Sequence, residues 1–235
     1  MSPPNLPDWD NVPITKMLNE RFNVPVFLQN DADACALAEW KYGNGAGTDD
    51  FVFLTFGTGL GAGLIVNGHL LVGKCDNAGE VGHWRLEQFG PVGYGKAGSF
   101  EGFASGGGIA QLAQTKLAEL TQSGRSHPLM THPDGVTAKS VFALARENDP
   151  LCLEIIEIVG TYFGKGLAMI VDILNPEVIV AGSVFTRNYD LLHPIAKAVI
   201  DREALPASAV NCRLLPCKLD ENIGDYAALT VALGV

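Results

Sequence analysis

The stretch from residue 51 to residue 66 constrains the fold of this chain more than any other. Two apolar runs, residues 51–56 and 60–66, flank a turn, and four glycines fall within residues 57–63. Because glycine has no Cβ, a ligand can approach the backbone of such a turn closely, and its amide groups can converge on an anion. The pattern is typical of a phosphate-binding turn, but also of a plain β-hairpin with a glycine-rich turn.

Composition and charge exclude several classes of protein. The chain has 235 residues, of which 47% are hydrophobic and 18% are charged, so it predicts a soluble globular protein of one or two domains. The net charge of -10 would repel a polyanion, which argues against nucleic acid or an acidic membrane as a partner. A small-molecule ligand is expected. An anionic cofactor is compatible with this charge, since backbone amides and helix N-termini supply local positive potential.

Cysteine usage and the ends of the chain bear on location. The five cysteines are odd in number and include no C-x-x-C pair, so neither a disulfide framework nor a zinc clip is indicated. The first residues show no signal-peptide pattern, and no apolar run reaches membrane-spanning length. We therefore expect a cytoplasmic protein without a membrane partner.

Apolar spacing and turn residues predict the order of elements. Helices are predicted over residues 14–22, 31–42, 103–120, 137–146, 150–174, 187–203 and 223–233, and strands over residues 24–28, 51–56, 60–66, 178–183 and 211–217. The prolines of the first segment predict an extended lead-in. Residues 68–101 form a long glycine-rich region, and a connection of that length is more often functional than accidental. A hairpin followed by alternating helices and strands indicates an α/β domain with a mixed sheet.

Asp31 follows an apolar run at a predicted strand-to-helix corner. A carboxylate there can accept the proton of a substrate hydroxyl, as an alcohol requires when it attacks a phosphoryl group. From position alone a helix cap is the more common role, because aspartate and asparagine are the commonest capping residues. Gly182 and Ser183 end another predicted strand, so their backbone could approach a nucleotide. The same residues are also typical of a purely structural loop between a strand and a helix.

Three further polar residues lie in the long glycine-rich region. Glu80, His83 and Glu101 supply two carboxylates and an imidazole, which accept or donate in fixed directions and so suit the vicinal hydroxyls of a sugar. A single loop histidine is more commonly a satisfied polar group than a ligand. Position alone leaves both interpretations open.

Taken together and in order, these segments resemble the ROK family of sugar kinases and repressors, within the actin-like ATPase superfamily. Residues 29–39 resemble the family's N-D-A-N-A-A-A-x-x-E segment, residues 54–61 its second phosphate loop, and residues 78–83 its G-E-x-G-H motif. Residues 178–183 resemble its adenosine strand and residues 224–228 its closing helix. The resemblance spans essentially the whole chain.

The resemblance implies an actin-like, ribonuclease H-like fold, ATP-dependent phosphorylation of a hexose or N-acetylhexosamine with Mg²⁺, and a homodimer. It assigns the catalytic base to Asp31. Sugar binding is carried over to Asn30, Asp31, Glu80, His83 and Glu101, and nucleotide or phosphate binding to Gly57, Thr58, Gly59, Gly61, Gly182 and Ser183.

Two departures from the family pattern matter. The family's zinc motif, C-x-C-G-x-x-G-C-x-E, aligns with residues 92–101, where Val92, Tyr94 and Ser99 replace the three cysteines. Because neither valine nor neutral hydroxyls can replace thiolates on tetrahedral zinc, we predict no structural zinc. His83 is then free to bind sugar.

The second departure is at the start, where the family's D-x-G-x-T/K phosphate loop is absent from this sequence and residues 5–9 already resemble a segment well inside a full-length member. This predicts a remnant of a small N-terminal domain at residues 1–30, a large domain at 31–222, and a closing helix at 223–235 that packs toward the small domain. We expect weak ligand binding and little turnover from such a chain. The alternatives are a non-enzymatic sugar-binding regulator and an isolated domain fragment.

Overall fold

The computed structural model describes residues 11–234. The helices are α1 (Ile14–Phe22), α2 (Asp31–Tyr42), α3 (Phe100–Phe103), α4 (Gly106–Gln122), α5 (Ala138–Arg146), α6 (Pro150–Leu174), α7 (Val184–Arg187), α8 (Tyr189–Glu203), α9 (Pro206–Ala209) and α10 (Ile223–Leu233). The strands are β1 (Phe51–Phe56), β2 (Leu60–Val66), β3 (His69–Leu70), β4 (Val92–Gly93), β5 (Lys96–Ala97), β6 (Val178–Ala181) and β7 (Arg213–Pro216). The predicted lead-in and the match at residues 5–9 lie outside the described residues.

The main sheet is mixed, as predicted. In the described part of the chain it has five strands in the order β3-β2-β1-β6-β7. Strands β1, β2 and β3 pair antiparallel, whereas β6 and β7 run parallel to β1. Strands β1, β6 and β7 therefore end at the same edge of the sheet, which we call the carboxyl edge. The turns that follow these strands meet there, where ligands bind in open α/β sheets.

Helices cover both faces of the sheet. Alternate residues of β1 face opposite ways, so that Leu54 and Phe56 join one buried cluster and Phe51 and Phe53 join another. The first cluster packs against α4, α5, α6 and α8. The second packs against α2, which in turn contacts α10. The sheet is thus buried between two helical layers.

The longest helix, α6, follows from its ends and its period. Asp149 caps it by accepting a hydrogen bond from the amide of Cys152 at 2.9 Å, and Pro150 occupies the first helical position. Asn175 ends it in a left-handed conformation with φ of 47°, directly before Pro176. Apolar residues at helical spacing are buried along its length, as the sequence predicts.

Helix α2 lies directly on β2 because Gly63 has no side chain. A Cβ at Gly63 would overlap the Cβ of Ala36 and lie 2.6 Å from the carbonyl oxygen of Ala32. Glycine here permits a close approach of backbone to backbone. The close approach brings the N-terminus of α2 to the carboxyl edge of the sheet.

The predicted strand at residues 24–28 is wrong. These residues form no regular element and pair with no strand within residues 11–234, and Phe27 and Leu28 are 58% and 73% exposed. An extended segment becomes a strand only when a neighbour accepts and donates its backbone hydrogen bonds.

Some predicted boundaries also differ. Helix α4 begins at Gly106 rather than at residue 103, because Ser105 caps it by accepting from the amide of Gly108 at 3.0 Å. A separate helical turn, α7, precedes α8, and β6 ends at Ala181 before the Gly-Ser turn. No helix among residues 11–234 is long and apolar enough to cross a membrane.

Candidate functional site

A cleft of about 770 Å³ opens at the carboxyl edge of the sheet, where β1 turns into β2. It brings together residues from five separate parts of the sequence. Its lining includes Asn30, Asp31, Thr55, Gly57, Thr58, Gly59, Gly61, Asp76, Asn77, Glu80, His83, Tyr94 and Glu101. Every candidate site residue named from the sequence is in this lining except Gly182 and Ser183.

The N-terminus of α2 presents Asn30 and Asp31 to the cleft. The amide oxygen of Asn30 accepts from the backbone N–H of Ala32 at 2.9 Å and of Asp33 at 3.3 Å, so Asn30 is the helix cap. Asp31 is exposed and uses only Oδ1 locally, accepting from the amide of Ala32 at 2.8 Å. Since Asn30 caps the helix, the second carboxylate oxygen of Asp31 has no structural partner among the described residues. It is available to a substrate.

Two side chains hold the turn between β1 and β2. Oγ1 of Thr55 accepts from the amide of Gly61 at 3.0 Å, and Oε2 of Glu101 accepts from the amide of Leu60 at 3.0 Å. A Cβ at Gly59 would lie 2.8 Å from that same Glu101 oxygen, so glycine lets the carboxylate reach the turn.

Two backbone N–H groups of this turn remain unpaired. The amide of Gly57 donates within the turn to the carbonyl of Gly59 at 3.0 Å, but the amides of Thr58 and Gly59 have no acceptor within residues 11–234. Both residues line the cleft. Unpaired, neighbouring amides at a glycine turn are the donors that an anion such as phosphate accepts from.

The opposite side of the cleft is built from the long glycine-rich region. Glu80 precedes a short 3₁₀ turn, Val81–His83, which sets Nε2 of His83 3.8 Å from Oε2 of Glu80. The Nζ of Lys96 donates to the backbone carbonyl of His83 at 2.6 Å. The ring of Tyr94 meets the His83 ring edge-on, with centroids 4.6 Å apart. Carboxylate, imidazole and phenol groups therefore face the same space.

Gly182 and Ser183 lie beside the glycine turn rather than in the cleft. A Cβ at Gly57 would be 3.8 Å from Oγ of Ser183, and Ser183 has a positive φ of 52°. The N-terminus of α4 reaches the same turn, since the amide of Gly106 donates to the carbonyl of Gly57 at 2.8 Å. Sequence reasoning missed this contact, for which three successive glycines at residues 106–108 were the available signal.

Two acidic or amide residues of the cleft were also missed. Asp76 and Asn77 line it, and only their closeness in sequence to Glu80 pointed to them. The charge of Asp76 affects Asp33, a buried carboxyl in the first turn of α2. Burial raises the pKa of Asp33, a hydrogen bond from Gln29 lowers it, and the nearby charges of Asp31, Asp76 and Glu80 raise it. This end of the cleft is thus negatively charged.

Comparisons with known proteins agree with these motifs. The model of the ROK family matches residues 1–233. The chain belongs to the ROK family. The glucokinase of Thermotoga maritima is 33% identical over 230 residues, covering 97% of this chain and 72% of that protein. The DNA-binding transcriptional repressor Mlc of Escherichia coli is 33% identical over 201 residues, covering 85% of this chain and 48% of the repressor. The chain thus spans about three quarters of one relative and half of the other.

A solved structure agrees in fold. A ROK family glucokinase from Streptomyces griseus, in complex with glucose and AMPPNP, is 25% identical, with a TM-score of 0.77 over 97% of this chain and 74% of that one. The predicted family and the predicted fold, a mixed sheet flanked by helices as in actin-like ATPases, are both confirmed.

Within this ROK chain, the segment aligned with the family's zinc motif is closed by hydrogen bonds. The side chain of Gln111 accepts from the amide of Val92 and donates to its carbonyl, both at 2.9 Å. Ser99 is fully buried, accepts from the amide of Gly102 at 3.0 Å and donates to the carbonyl of Gly93 at 3.3 Å. These contacts hold strands β4 and β5 beside the cleft. The absence of zinc stays a prediction.

Proposed function

We propose that this chain carries the sugar-phosphorylating site of an ATP-dependent kinase that acts on a hexose or N-acetylhexosamine. The observation that carries the proposal is one cleft holding both an Asp31 carboxylate oxygen without a structural partner and two unpaired amides, those of Thr58 and Gly59. A proton acceptor and a phosphate cradle are the two groups that phosphoryl transfer to an alcohol needs. The glucokinase relative supports the same reading.

The sugar end of the cleft supplies the remaining groups. Asp31 accepts the proton of the attacking hydroxyl, while Asn30, Glu80 and His83 hold its neighbours in fixed directions. Oε2 of Glu101 accepts the hydrogen bond from the amide of Leu60, which leaves Oε1 for a sugar hydroxyl. One carboxylate can thereby couple the position of the sugar to the position of the glycine turn.

The phosphate end fits a nucleotide by its donors and its open backbone. The donors that would hold one are the unpaired amides of Thr58 and Gly59. The paired residues Gly57 and Gly61 keep the turn open to the phosphates, with Gly182 and Ser183 beside them. ATP supplies the phosphoryl group and Mg²⁺ neutralises its charge when they are bound. The chain's own part is to present unpaired amides to phosphate oxygens and to keep Asp31 beside the hydroxyl.

A sugar-binding regulator is the second candidate, because the repressor Mlc is as similar in identity as the glucokinase. Such a protein would use the same sugar-binding groups without turnover. The net charge of -10 argues against DNA contact by this chain, and Asp31 favours the kinase. The kinase proposal includes a cytoplasmic homodimer with sugar and nucleotide as its partners.

An ADP-release assay with glucose, fructose, mannose and their N-acetylamino forms, combined with calorimetric sugar binding, tests the proposal. We expect slow but sugar-dependent ADP release that Asp31→Asn abolishes, because general-base catalysis contributes about 10²–10⁴-fold, with the weak sugar affinity largely kept. The matched control is Asp225→Asn, an exposed first-turn aspartate of α10 outside the cleft.

Two outcomes would decide against the kinase. Sugar binding with no ADP release, in the unsubstituted chain as in Asp31→Asn, would contradict the kinase and leave the regulator or the isolated domain fragment. If the chain neither bound sugar nor released ADP, both candidates would be contradicted.

A further inference from the structure

Tyr94 has an unusual position in the fold. It lies at the tip of the hairpin formed by β4 and β5, lines the cleft, and remains 60% exposed. Its ring meets that of His83 at a centroid distance of 4.6 Å, with the planes inclined by 66°. A large aromatic side chain at the mouth of a polar cleft is therefore open to whatever the cleft binds.

The turn itself does not call for tyrosine. Tyr94 and Gly95 are the two central residues between β4 and β5, and their φ values are 48° and 73°. Two positive φ values characterise the type I′ hairpin turn, which favours Asn-Gly, Asp-Gly or Gly-Gly. A bulky residue at positive φ is a conformational outlier. Tyr94 thus costs stability at a position where glycine or asparagine would serve better.

The hairpin is also anchored so that the Tyr94 ring is held in place. Gln111 binds both backbone groups of Val92, at the base of the hairpin. Lys96, the residue after the turn, binds the carbonyl of His83 at 2.6 Å. The hairpin and the histidine are therefore joined directly, and the two rings are held together at the wall of the cleft.

We propose that Tyr94 is a substrate-contacting, specificity-determining residue, whose ring packs with His83 against the C–H face of a hexose in its pyranose form. The inference rests on the proposed sugar-binding function and extends it to a residue that the family pattern assigns to zinc. Tyrosine suits this role because it offers a flat apolar face with little conformational freedom to lose and a polar tip toward water. The carboxylates of the cleft bind the hydroxyls at the sugar's edge, and Tyr94 covers the apolar face.

The experiment compares Tyr94→Gly, Tyr94→Phe and the control Val92→Ala in the full 235-residue chain. Val92 is exposed on the same hairpin but does not line the cleft. Calorimetry measures the Kd for glucose, mannose and their N-acetylamino forms, and thermal unfolding measures the Tm. We expect Tyr94→Gly to raise the Kd of the preferred sugar by about three- to ten-fold, a loss typical of one aromatic contact. Its Tm should be equal to or above that of the unsubstituted chain, because glycine relieves the positive φ.

Tyr94→Phe should stay within about two-fold of the original Kd, since it keeps the ring face. Val92→Ala should change neither sugar affinity nor the order of preference among the sugars.

The outcomes separate the inference from the function on which it rests. Unchanged sugar affinity in Tyr94→Gly would overturn the role of Tyr94 and leave the kinase proposal intact. If Tyr94→Gly lowered both the Tm and the sugar affinity, Tyr94 would only support the hairpin. That result would also overturn the proposed role of Tyr94. If the unsubstituted chain bound no sugar, the proposed function and the inference would both fall.

Discussion

The two walls of the cleft are built in different ways. The first wall is the N-terminus of α2 with the glycine turn at residues 57–61, and the second is the 3₁₀ turn Val81–His83 with the hairpin of β4 and β5. In the first wall, backbone lies directly on backbone, and Gly63 lets α2 rest on β2. The second wall also has one such contact, since a Cβ at Gly82 would overlap the carbonyl oxygen of Leu60, but its hairpin is tied mainly by side chains such as Gln111 and Lys96. Close packing tolerates little change, whereas side-chain hydrogen bonds can be replaced one by one.

This difference explains where the chain departs from its family. The first wall keeps Asn30 and Asp31 of the motif and changes its second asparagine only to the similarly sized Asp33, because a change of volume there would displace the helix that carries the proposed base. In the second wall, Val92, Tyr94 and Ser99 replace the family's cysteines, and the hydrogen bonds of Gln111 and Ser99 close the segment. The hairpin can therefore change what holds it together without altering the contact between α2 and β2.

The largest effect should come from breaking the packing of the first wall. In Gly63→Ala the new methyl group overlaps Ala36 and the backbone of Ala32, so α2 must move away from β2. We expect the free energy of unfolding to fall by about 1–3 kcal/mol, the usual cost of overpacking, and sugar affinity to fall with it. Chemical denaturation and calorimetry measure the two effects.

A matched control for this substitution is Gly224→Ala. Gly224 lies in the first turn of α10, and a Cβ there meets nothing within 4 Å. We expect it to be neutral or to stabilise by up to about 1 kcal/mol, because alanine is the better helix former. A Gly63→Ala protein as stable as the control would show that α2 does not depend on this contact.

A smaller effect should follow from loosening the second wall. Gln111→Ala removes both hydrogen bonds to Val92, which is 45% exposed, so water replaces them in part. We expect a loss of about 0.5–1.5 kcal/mol in the free energy of unfolding and weaker sugar binding through the displaced hairpin. Denaturant titration and calorimetry check both.

The control is Gln114→Ala, an exposed glutamine on the same helix, which should change neither quantity. If Gln111→Ala and Gln114→Ala had the same stability and sugar affinity, Gln111 would not be the residue that anchors the hairpin. Metal analysis of the unsubstituted chain tests the same wall, since stoichiometric zinc bound at His83 would contradict the prediction that hydrogen bonds hold this segment without metal.

Much of the fold could be predicted from sequence because local patterns and tertiary contacts agree there. Strands β1 and β2 flank an obvious turn, and α6 has a cap, a regular apolar period and a stop. Residues 24–28 carry the same apolar pattern without a neighbouring strand, and no local signal reveals whether a partner exists. Strand prediction fails in such cases because pairing is not a local property.

The candidate site was predictable where its residues lie in contiguous motifs. Glu80 and His83 were found in this way. Tyr94 and Asp76 were not, because each sits at positive φ in a turn whose position relative to the cleft depends on packing with distant elements. Asn30 and Asp31 are equally good caps by propensity, and only the hydrogen bonds to Ala32 and Asp33 distinguish them.

The smallest predicted effect concerns a departure inside the first wall. Asp33 stands where the family motif has its second asparagine, and its carboxyl is buried near Asp31, Asp76 and Glu80. Because its pKa is raised in the folded state, the folded protein binds this proton more tightly than the unfolded chain does. The contribution of Asp33 to stability is therefore greatest at low pH and is lost as the pH rises from about 4 through the raised pKa.

Asp33→Asn should remove this loss, because a neutral amide carries no charge to bury and can still accept the hydrogen bond from Gln29. We expect the variant to gain stability over the unsubstituted chain as the pH rises above about 4, and the two to converge at lower pH. Denaturant titrations across this range measure the difference. A difference that stays constant with pH would mean that Asp33 does not titrate in this window. In that case the negative charge around the first wall would have no measurable effect on the packing that holds α2 in place.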